Sequence, residues 1–340
     1  MFTELGHQER RVTGVWASAG RKLSRALLER DQGGFLRFAT LPSNVKGVEA
    51  AMLFSAGLAP FVALVGPSGW GKTHLLEAVA GTVPTEGGEA VRVHAAAEWL
   101  ANGHRPETRV LVLDDVTDVL SGPRVRQQLR IVLERRVRAR RPSILALTST
   151  SVTRAIRGLL PCVREWTIGQ IVPPSLAERE TVVRHVASTN GLAMSETIVR
   201  LIAARASGDG RSINGAIQRL KLVSSRWAGA DHVLRACGIL RPYLSDASGW
   251  DLRDHVSEVV RASAGTHART AQRSERLGVY VMLHGMGLSE DEVARYYRLQ
   301  PGEAYTVAME FAKDCANPDV RGVYSLCVES LVQSFESLDA

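Results

Sequence analysis

"FVALVGPSGWGKTH", residues 61–74, decides the fold. Five apolar residues read as a buried strand. The spacing Gly66-x-x-x-x-Gly71-Lys72-Thr73 follows, and "THLLEAVAG" after it has a helical period. Strand, glycine-rich loop and helix in this order form a Walker A loop. Glycines let backbone N–H groups turn inward around phosphate oxygens, and the helix adds its positive N-terminal end. The expected phosphate contacts are Gly66, Ser68, Gly69, Gly71, Lys72, Thr73 and His74. Lys72 reaches toward the β/γ-phosphates, and until phosphate arrives it is expected to be a solvent-facing charge. The Thr73 hydroxyl is a ligand for Mg²⁺. The expected cofactors are therefore ATP and Mg²⁺.

A phosphate loop needs a metal partner. "RVLVLDDV" (109–116) is an apolar strand ending in Asp114 and Asp115, the Walker B pattern. Asp114 is expected to hold Mg²⁺ and Asp115 to orient or deprotonate an attacking water. The plain alternative is a strand that ends in a solvated Asp-Asp turn.

The chain has 340 residues, 45% hydrophobic and 23% charged, enough for two or three domains with sizeable cores. Four cysteines lie far apart with no metal-binding spacing, which points to reduced thiols and a cytoplasmic protein. The polar start "MFTELGHQERR" has no signal-peptide core, and no apolar stretch is long enough to span a membrane. The net charge is +7, unevenly spread: residues 246–340 carry 9 basic and 15 acidic side chains, leaving a net of +13 on residues 1–245. The densest basic segment, "PRVRQQLRIVLERRVRARR" (123–141), has eight arginines and one glutamate. Val125, Leu129, Val132 and Leu133 fall at helical spacing, so one face packs and the other carries arginine. That face is either a surface for a phosphate backbone, and so a nucleoid-associated protein's contact with DNA, or an ordinary solvated face.

The pattern along the chain predicts an N-terminal helical extension (1–34) and an α/β domain with a doubly wound parallel sheet (35–172). Its strands are expected in "FVALV", "AVRVHA", "RVLVLDD", "SILALTST" and "REWTIGQIV". After "VPPS" only helical periods remain: a lid (173–240), with helices expected over 175–190, 195–206 and 211–228, then a linker-like "RPYLSDASGW" opening an all-helical domain (241–340). Breaks in that last domain are expected at Gly285–Gly287, Pro301-Gly302 and Pro318.

Walker A, Walker B, the "ALTSTS" strand end and a helical segment with "GRSINGAIQRL" follow the order of AAA+ ATPases. Thr148 and Ser149 stand where a polar sensor meets the γ-phosphate or the attacking water, and Arg211 where a second sensor reaches the nucleotide. The chain more specifically resembles the bacterial replication initiator DnaA and its relatives over roughly residues 35–335. "GPSGWGKTHLLEAVA", "LVLDDV", "LTS", "PPSLAERETVV" and "RSINGAIQRL" occur in that family's order, and "ARTAQRSERLGVYVMLHGMGLSEDEVARYYRL" resembles the start of its helix-turn-helix domain. The resemblance implies ATP binding, assembly into homo-oligomers on DNA, an adenine contact near Asn44, and single-strand contacts matching Leu100 and Arg124. Arg269, Arg273, Arg295 and Arg298 remain as backbone contacts, and Thr306 remains from the base-reading signature.

The departures are specific. The position of the family's trans-acting arginine falls on Cys162, with Arg157 and Arg164 nearby but out of register. The residue after the sensor Thr-Ser is Thr150 instead of aspartate. The base-reading signature is replaced by "QPGEAYTV" (300–307), with Gly302, Glu303 and Ala304 where the family has arginine, aspartate and histidine. Two readings follow. One is a DnaA-like ATP-binding protein in replication initiation or its regulation, with weak or non-specific DNA association and slow ATP hydrolysis. The other is a regulatory adaptor, like the Hda-type relatives, docking on a DnaA-type initiator or another replication protein.

Overall fold

The computed structural model describes residues 34–83, 90–102, 109–206, 208–244, 251–264 and 268–337, with residues 264 and 268–272 described as backbone alone. The helix expected within residues 1–30 and most of the linker-like 241–250 segment lie outside these. The chain divides into two compact units between Pro174 and Ser175.

The first unit begins with α1 (Val45–Ser55), β1 (Phe61–Gly66), α2 (Lys72–Thr82), β2 (Val93–Ala95) and α3 (Ala96–Ala101). It continues with β3 (Leu111–Asp114), α4 (Pro123–Arg138), β4 (Ser143–Thr148), the short α5 (Val152–Ile156) and β5 (Thr167–Gln170). All five expected strands are present and form one parallel sheet in the order β2-β3-β4-β1-β5. Every residue of β1 is buried. Because side chains alternate along a strand, β1 feeds two cores. Phe61, Ala63 and Val65 pack on one face with Leu129, Val132 and Leu133 of α4, while Val62 and Leu64 pack on the other with α1 and α2. A strand buried on both faces has no room for polar alternation, which is why it reads as a continuous apolar run. Burying each such side chain fully contributes about 1.5–3 kcal/mol.

Helix α4 starts with Pro123 at its first turn, where the missing N–H costs nothing, and gives way after Ala139 to Arg140 in the left-handed region (φ 52°). Seven of the eight arginines of 123–141 lie at the surface or only partly buried, but Arg136 is turned into the protein at 1% exposure. Its guanidinium donates to Ser143 Oγ (2.8 Å), the Pro142 carbonyl (2.9 Å) and the Arg109 carbonyl (3.3 Å). Burial, helped by the nearby Arg141 charge, lowers its pKa to about 10, so it stays charged at neutral pH. Arg136 thus fastens α4 to the starts of β3 and β4.

The second unit holds α6 (Leu176–Thr189), β6 (Ala193–Met194), α7 (Glu196–Arg205), α8 (Gly210–Val223), β7 (Arg226–Trp227) and α9 (Ala230–Leu240). It ends with α10 (Leu252–Ala264), α11 (Ala268–Tyr280), α12 (Glu290–Tyr297), α13 (Glu303–Asp314) and α14 (Pro318–Glu336). Capping boxes start two of these helices: Ser175 with Glu178 on α6, and Ser289 with Glu292 on α12.

The expectation of helices alone in this part is corrected in one place. The 211–228 period ends at Val223, Ser224 turns extended, and Arg226–Trp227 pairs in parallel with Ala193–Met194. Trp227 is 1% exposed and donates from Nε1 to the Ser224 carbonyl (3.0 Å); burying this indole outweighs continuing the helix. The expected breaks occur as a π-turn over Val281–Gly285, left-handed Gly287 and Gly302, and Pro318 in the first turn of α14. The last turns of α14 are tied to other helices of this unit. Thr197 Oγ1 of α7 donates to Glu336 Oε1 (2.8 Å), and His255 of α10 lies 2.9 Å from Ser334 Oγ. Among the described residues no helix is long and apolar enough to cross a membrane.

Candidate nucleotide-binding site

The site is built at the C-terminal end of the central strand. Gly66 closes β1, and Gly69 (φ 72°) and Gly71 (φ 91°) take left-handed conformations that only glycine adopts freely. Two positions are also closed by packing. A Cβ on Gly66 would sit 2.7 Å from the Ile171 carbonyl oxygen, and one on Gly71 would sit 2.5 Å from the Phe38 ring. Helix α2 therefore begins at Gly71 with no side-chain cap and no acidic residue in its first turn. Those are the conditions under which a helix N-terminus favours an anion.

Lys72 is not solvent-facing as expected. It is 6% exposed, and its Nζ donates to the Gly66 (3.0 Å) and Pro67 (2.7 Å) carbonyls. Folding back across its own loop gives the ammonium partners that burial would otherwise deny it. Thr73 and Asp114 meet across the sheet: Thr73 Oγ1 donates to Asp114 Oδ2 at 2.6 Å, although 41 residues separate them. Asp114 Oδ1 accepts the Asp115 N–H (2.8 Å), so both carboxylate oxygens are oriented. A hydroxyl and a carboxylate held together beside a buried ammonium are hard oxygen donors, the kind Mg²⁺ takes. The donor set fits that ion.

Asp115 is exposed and left-handed (φ 50°), an uncommon conformation that turns the chain sharply after β3. Thr117 then accepts the Thr148 N–H at its Oγ1 (2.8 Å), linking the turn after β3 to the end of β4. Ser149 N–H donates to the Gly66 carbonyl (3.0 Å), so the "LTS" end adjoins the glycine loop. The Ser149 hydroxyl, however, faces its own turn, donating to Ser151 O (2.9 Å) and accepting from Ser151 N–H (3.1 Å).

Asn44 is buried, and its amide is engaged by the Leu41 N–H (2.8 Å) and the Ala39 carbonyl (2.8 Å), which closes the 39–44 turn ahead of α1. Ser68 and His74 are exposed on the loop and the first turn of α2. Leu100 packs against the core beside Trp99, while Arg124 is exposed at the start of α4. Arg211 is exposed near the start of α8, in the second unit, where its N–H donates to Asp209 Oδ1 (2.9 Å). Arg273 is exposed on α11, the Arg269 side chain lies outside the described atoms, and Thr306 is exposed on α13, its hydroxyl 3.4 Å from the Gly302 carbonyl. Cys162, Arg157 and Arg164 are all exposed, and Cys162 is left-handed (φ 47°). Sequence reasoning missed Thr117, Phe38 and Ile171. Only Thr117, three residues beyond Asp114, carried a signal in its position.

No family model matches the chain. Over 181 residues it is 26% identical to a "chromosomal replication initiator protein DnaA" from Dechloromonas aromatica, covering 48% of this chain and 38% of that one. The chain thus matches little more than a third of the length of its curated relative. Among solved structures it is similar to domain III of the Thermotoga maritima replication initiation protein DnaA, with TM-score 0.51 and 17% identity over 63% of this chain and 98% of that domain. A structure described as "replication initiator DnaA bound to AMPPCP and single-stranded DNA" has TM-score 0.47 and 16% identity, covering 89% of this chain and 97% of that one. The sheet order and the helices after it are those of the AAA+ fold.

Proposed function

We propose that this distant homologue of the DnaA family binds ATP with Mg²⁺ at the 66–74 loop, holds DNA by its phosphates on α4, and acts in replication initiation or its regulation. The observation that carries the nucleotide part is the 2.6 Å contact between Thr73 and Asp114 beside the buried Lys72. Thr73 and Asp114 would hold the metal, which supplies positive charge between the β- and γ-phosphates. Lys72 would leave the Gly66 and Pro67 carbonyls for phosphate oxygens. Asp115 would orient the attacking water, and Ser149 would turn its hydroxyl from Ser151 toward the γ-phosphate.

Turnover is expected to be slow and to rise little with protein concentration, because Cys162 takes the place of the trans-acting arginine. Such an arginine is worth on the order of 10³-fold or more. The check is steady-state phosphate release over a range of protein concentrations. Steep activation, lost in Arg157→Ala or Arg164→Ala, would identify a displaced finger instead.

DNA binding is assigned to α4. Arg124 and Arg135 are exposed, and their side chains have no hydrogen-bond or ion-pair partner among the described residues. Binding by phosphate contacts releases counterions and is indifferent to sequence. Affinity of the whole chain for single- and double-stranded DNA should fall about tenfold or more between 50 and 200 mM salt. It should match on scrambled sequences, and Arg124→Glu should weaken it. Fluorescence anisotropy tests this; tight binding to one duplex that rejects scrambled ones would contradict it.

A second reading, the adaptor, is favoured by one observation. Where the family reads bases, α13 presents Glu303, Tyr305 and Met309 to solvent, with Tyr305 54% and Met309 53% exposed.

A further inference from the structure

The exposed face of α13 and the exposed face of α4 are complementary in both shape of pattern and sign of charge. On α13, Tyr305 and Met309 are one turn apart on the same face; Glu303 stands at the helix start, its carboxylate accepting the Gln300 N–H (2.9 Å), and Glu310 follows Met309. The Gly302 N–H donates to Glu290 Oε1 (2.8 Å), which brings a further carboxylate to the start of this helix. Glu310 shares its charge with Arg276 (3.1 Å), so the apolar pair is bordered by acid at its N-terminal end most strongly. Two large apolar side chains, each more than half exposed on one helix, lose contact with water when covered, and each is worth about 1 kcal/mol or more on burial.

On α4 the pattern is reversed. Arg124, Gln127, Gln128, Ile131, Arg135 and Arg138 form one exposed stripe at spacings of three and four residues. Ile131 is 40% exposed at its centre, between arginines. Arg138 is paired with Glu134 (2.5 Å), which leaves Arg124 and Arg135 as the charges open to a partner.

We infer that α13 of one copy docks on α4 of another, Tyr305 and Met309 covering Ile131 while the acidic N-terminal end of α13, with Glu290 and Glu303, lies toward Arg124 and Arg135. The occupant is a second copy because the chain itself carries both halves of the match. Residues 246–340 are acidic overall and residues 1–245 strongly basic, so like ends repel and unlike ends attract. The contact is heterologous: each copy offers one α4 and one α13, so it can propagate from copy to copy. It is also small. A 12-residue helix crossing a 16-residue one offers lengths of about 18 and 24 Å. That contact falls short of the roughly 1,200–2,000 Å² of a stable interface. The association is therefore weak, salt-sensitive, and in competition with DNA for the same arginines.

The test is sedimentation velocity of the full chain, without nucleotide or DNA, across a concentration series at 50 and 500 mM salt. It does not depend on the nucleotide or DNA proposals, which are read by separate measurements. The weight-average mass should rise with concentration at low salt and fall back to monomer at high salt. Met309→Asp and Arg135→Glu, both at exposed positions, should each weaken association about tenfold or more. A mixture of the two variants should recover a species that stops at the dimer, since it contains one intact α13 and one intact α4 that can meet. That recovery also shows both variants to be folded. A monomer at every concentration, association unaffected by both variants, or a mixture without the dimer would each overturn the assignment. So would loss of DNA binding in Met309→Asp without any self-association, which would make nucleic acid the occupant of α13.

Discussion

Replacing Lys72 with alanine lowers the affinity for ATP about a hundredfold or more while the protein stays folded. The ammonium is already desolvated in the loop at 6% exposure, so its exchange of two carbonyls for phosphate oxygens replaces neutral acceptors by charged ones. Losing one partner of a desolvated charge contact costs about 2–5 kcal/mol in binding. The structural cost is smaller. Alanine leaves the Pro67 carbonyl without that donor and the buried Gly66 carbonyl with the Ser149 N–H alone, at about 1 kcal/mol each. Titration of a fluorescent ATP analogue against both proteins, with circular dichroism as the control for folding, gives the answer. Equal affinities would remove the phosphate-loop assignment, whatever else the chain binds.

The largest expected loss of stability is at Arg136. Arg136→Ala should destabilise the first unit by about 2–4 kcal/mol, because it takes a donor from Ser143 Oγ and from the Arg109 and Pro142 carbonyls and opens space under α4. Its neighbour Arg135 is exposed, and Arg135→Ala should stay within about 0.5 kcal/mol. Urea unfolding followed by tryptophan fluorescence separates the two: Trp99 and Trp166 both lie in the core that α4 covers. Matching midpoints for the two variants would mean that the buried guanidinium does not fasten the helix. The pair also bears on DNA binding. A loss of affinity in Arg136→Ala reports a displaced helix, whereas a loss in Arg124→Glu reports a charge at the surface.

How much of this was legible in the sequence depends on the distance over which each signal acts. The central strands β1, β3 and β4 were readable because a strand buried on both faces is apolar throughout, and the loop because Gly66, Gly69 and Gly71 answer a local demand for space and positive φ. The meeting of Thr73 and Asp114 was anticipated only because two local motifs each end a parallel strand at the same edge of the sheet. What was not legible is where a long side chain turns. Lys72 and Arg136 have flexible stems, and nothing in their neighbours' identity says that one folds onto its own loop and the other goes under the helix. The end of α8 at Val223 was missed for a related reason. Trp227 continues the helical period in the sequence, but its backbone pairs with β6, about thirty residues earlier, and that partner cannot be read from the period itself. Asn44 was matched by position to an adenine-contacting segment, and position alone did not show that its amide accepts the Leu41 N–H and donates to the Ala39 carbonyl.

The fastening of α14 has a consequence for how such a chain can change over generations. Leu331 and Phe335 are fully buried, and Glu336 accepts the Thr197 hydroxyl of α7, so the last turns of α14 form part of the wall behind α7, more than a hundred residues earlier, and behind α10. A stop codon before residue 331 would strip apolar cover from α7 and α10 and uncap Thr197 as well as shorten a tail. Removal of α14 by simple truncation is therefore opposed by packing. The exposed residues of α13, Tyr305 and Met309 among them, can by contrast change without opening that wall.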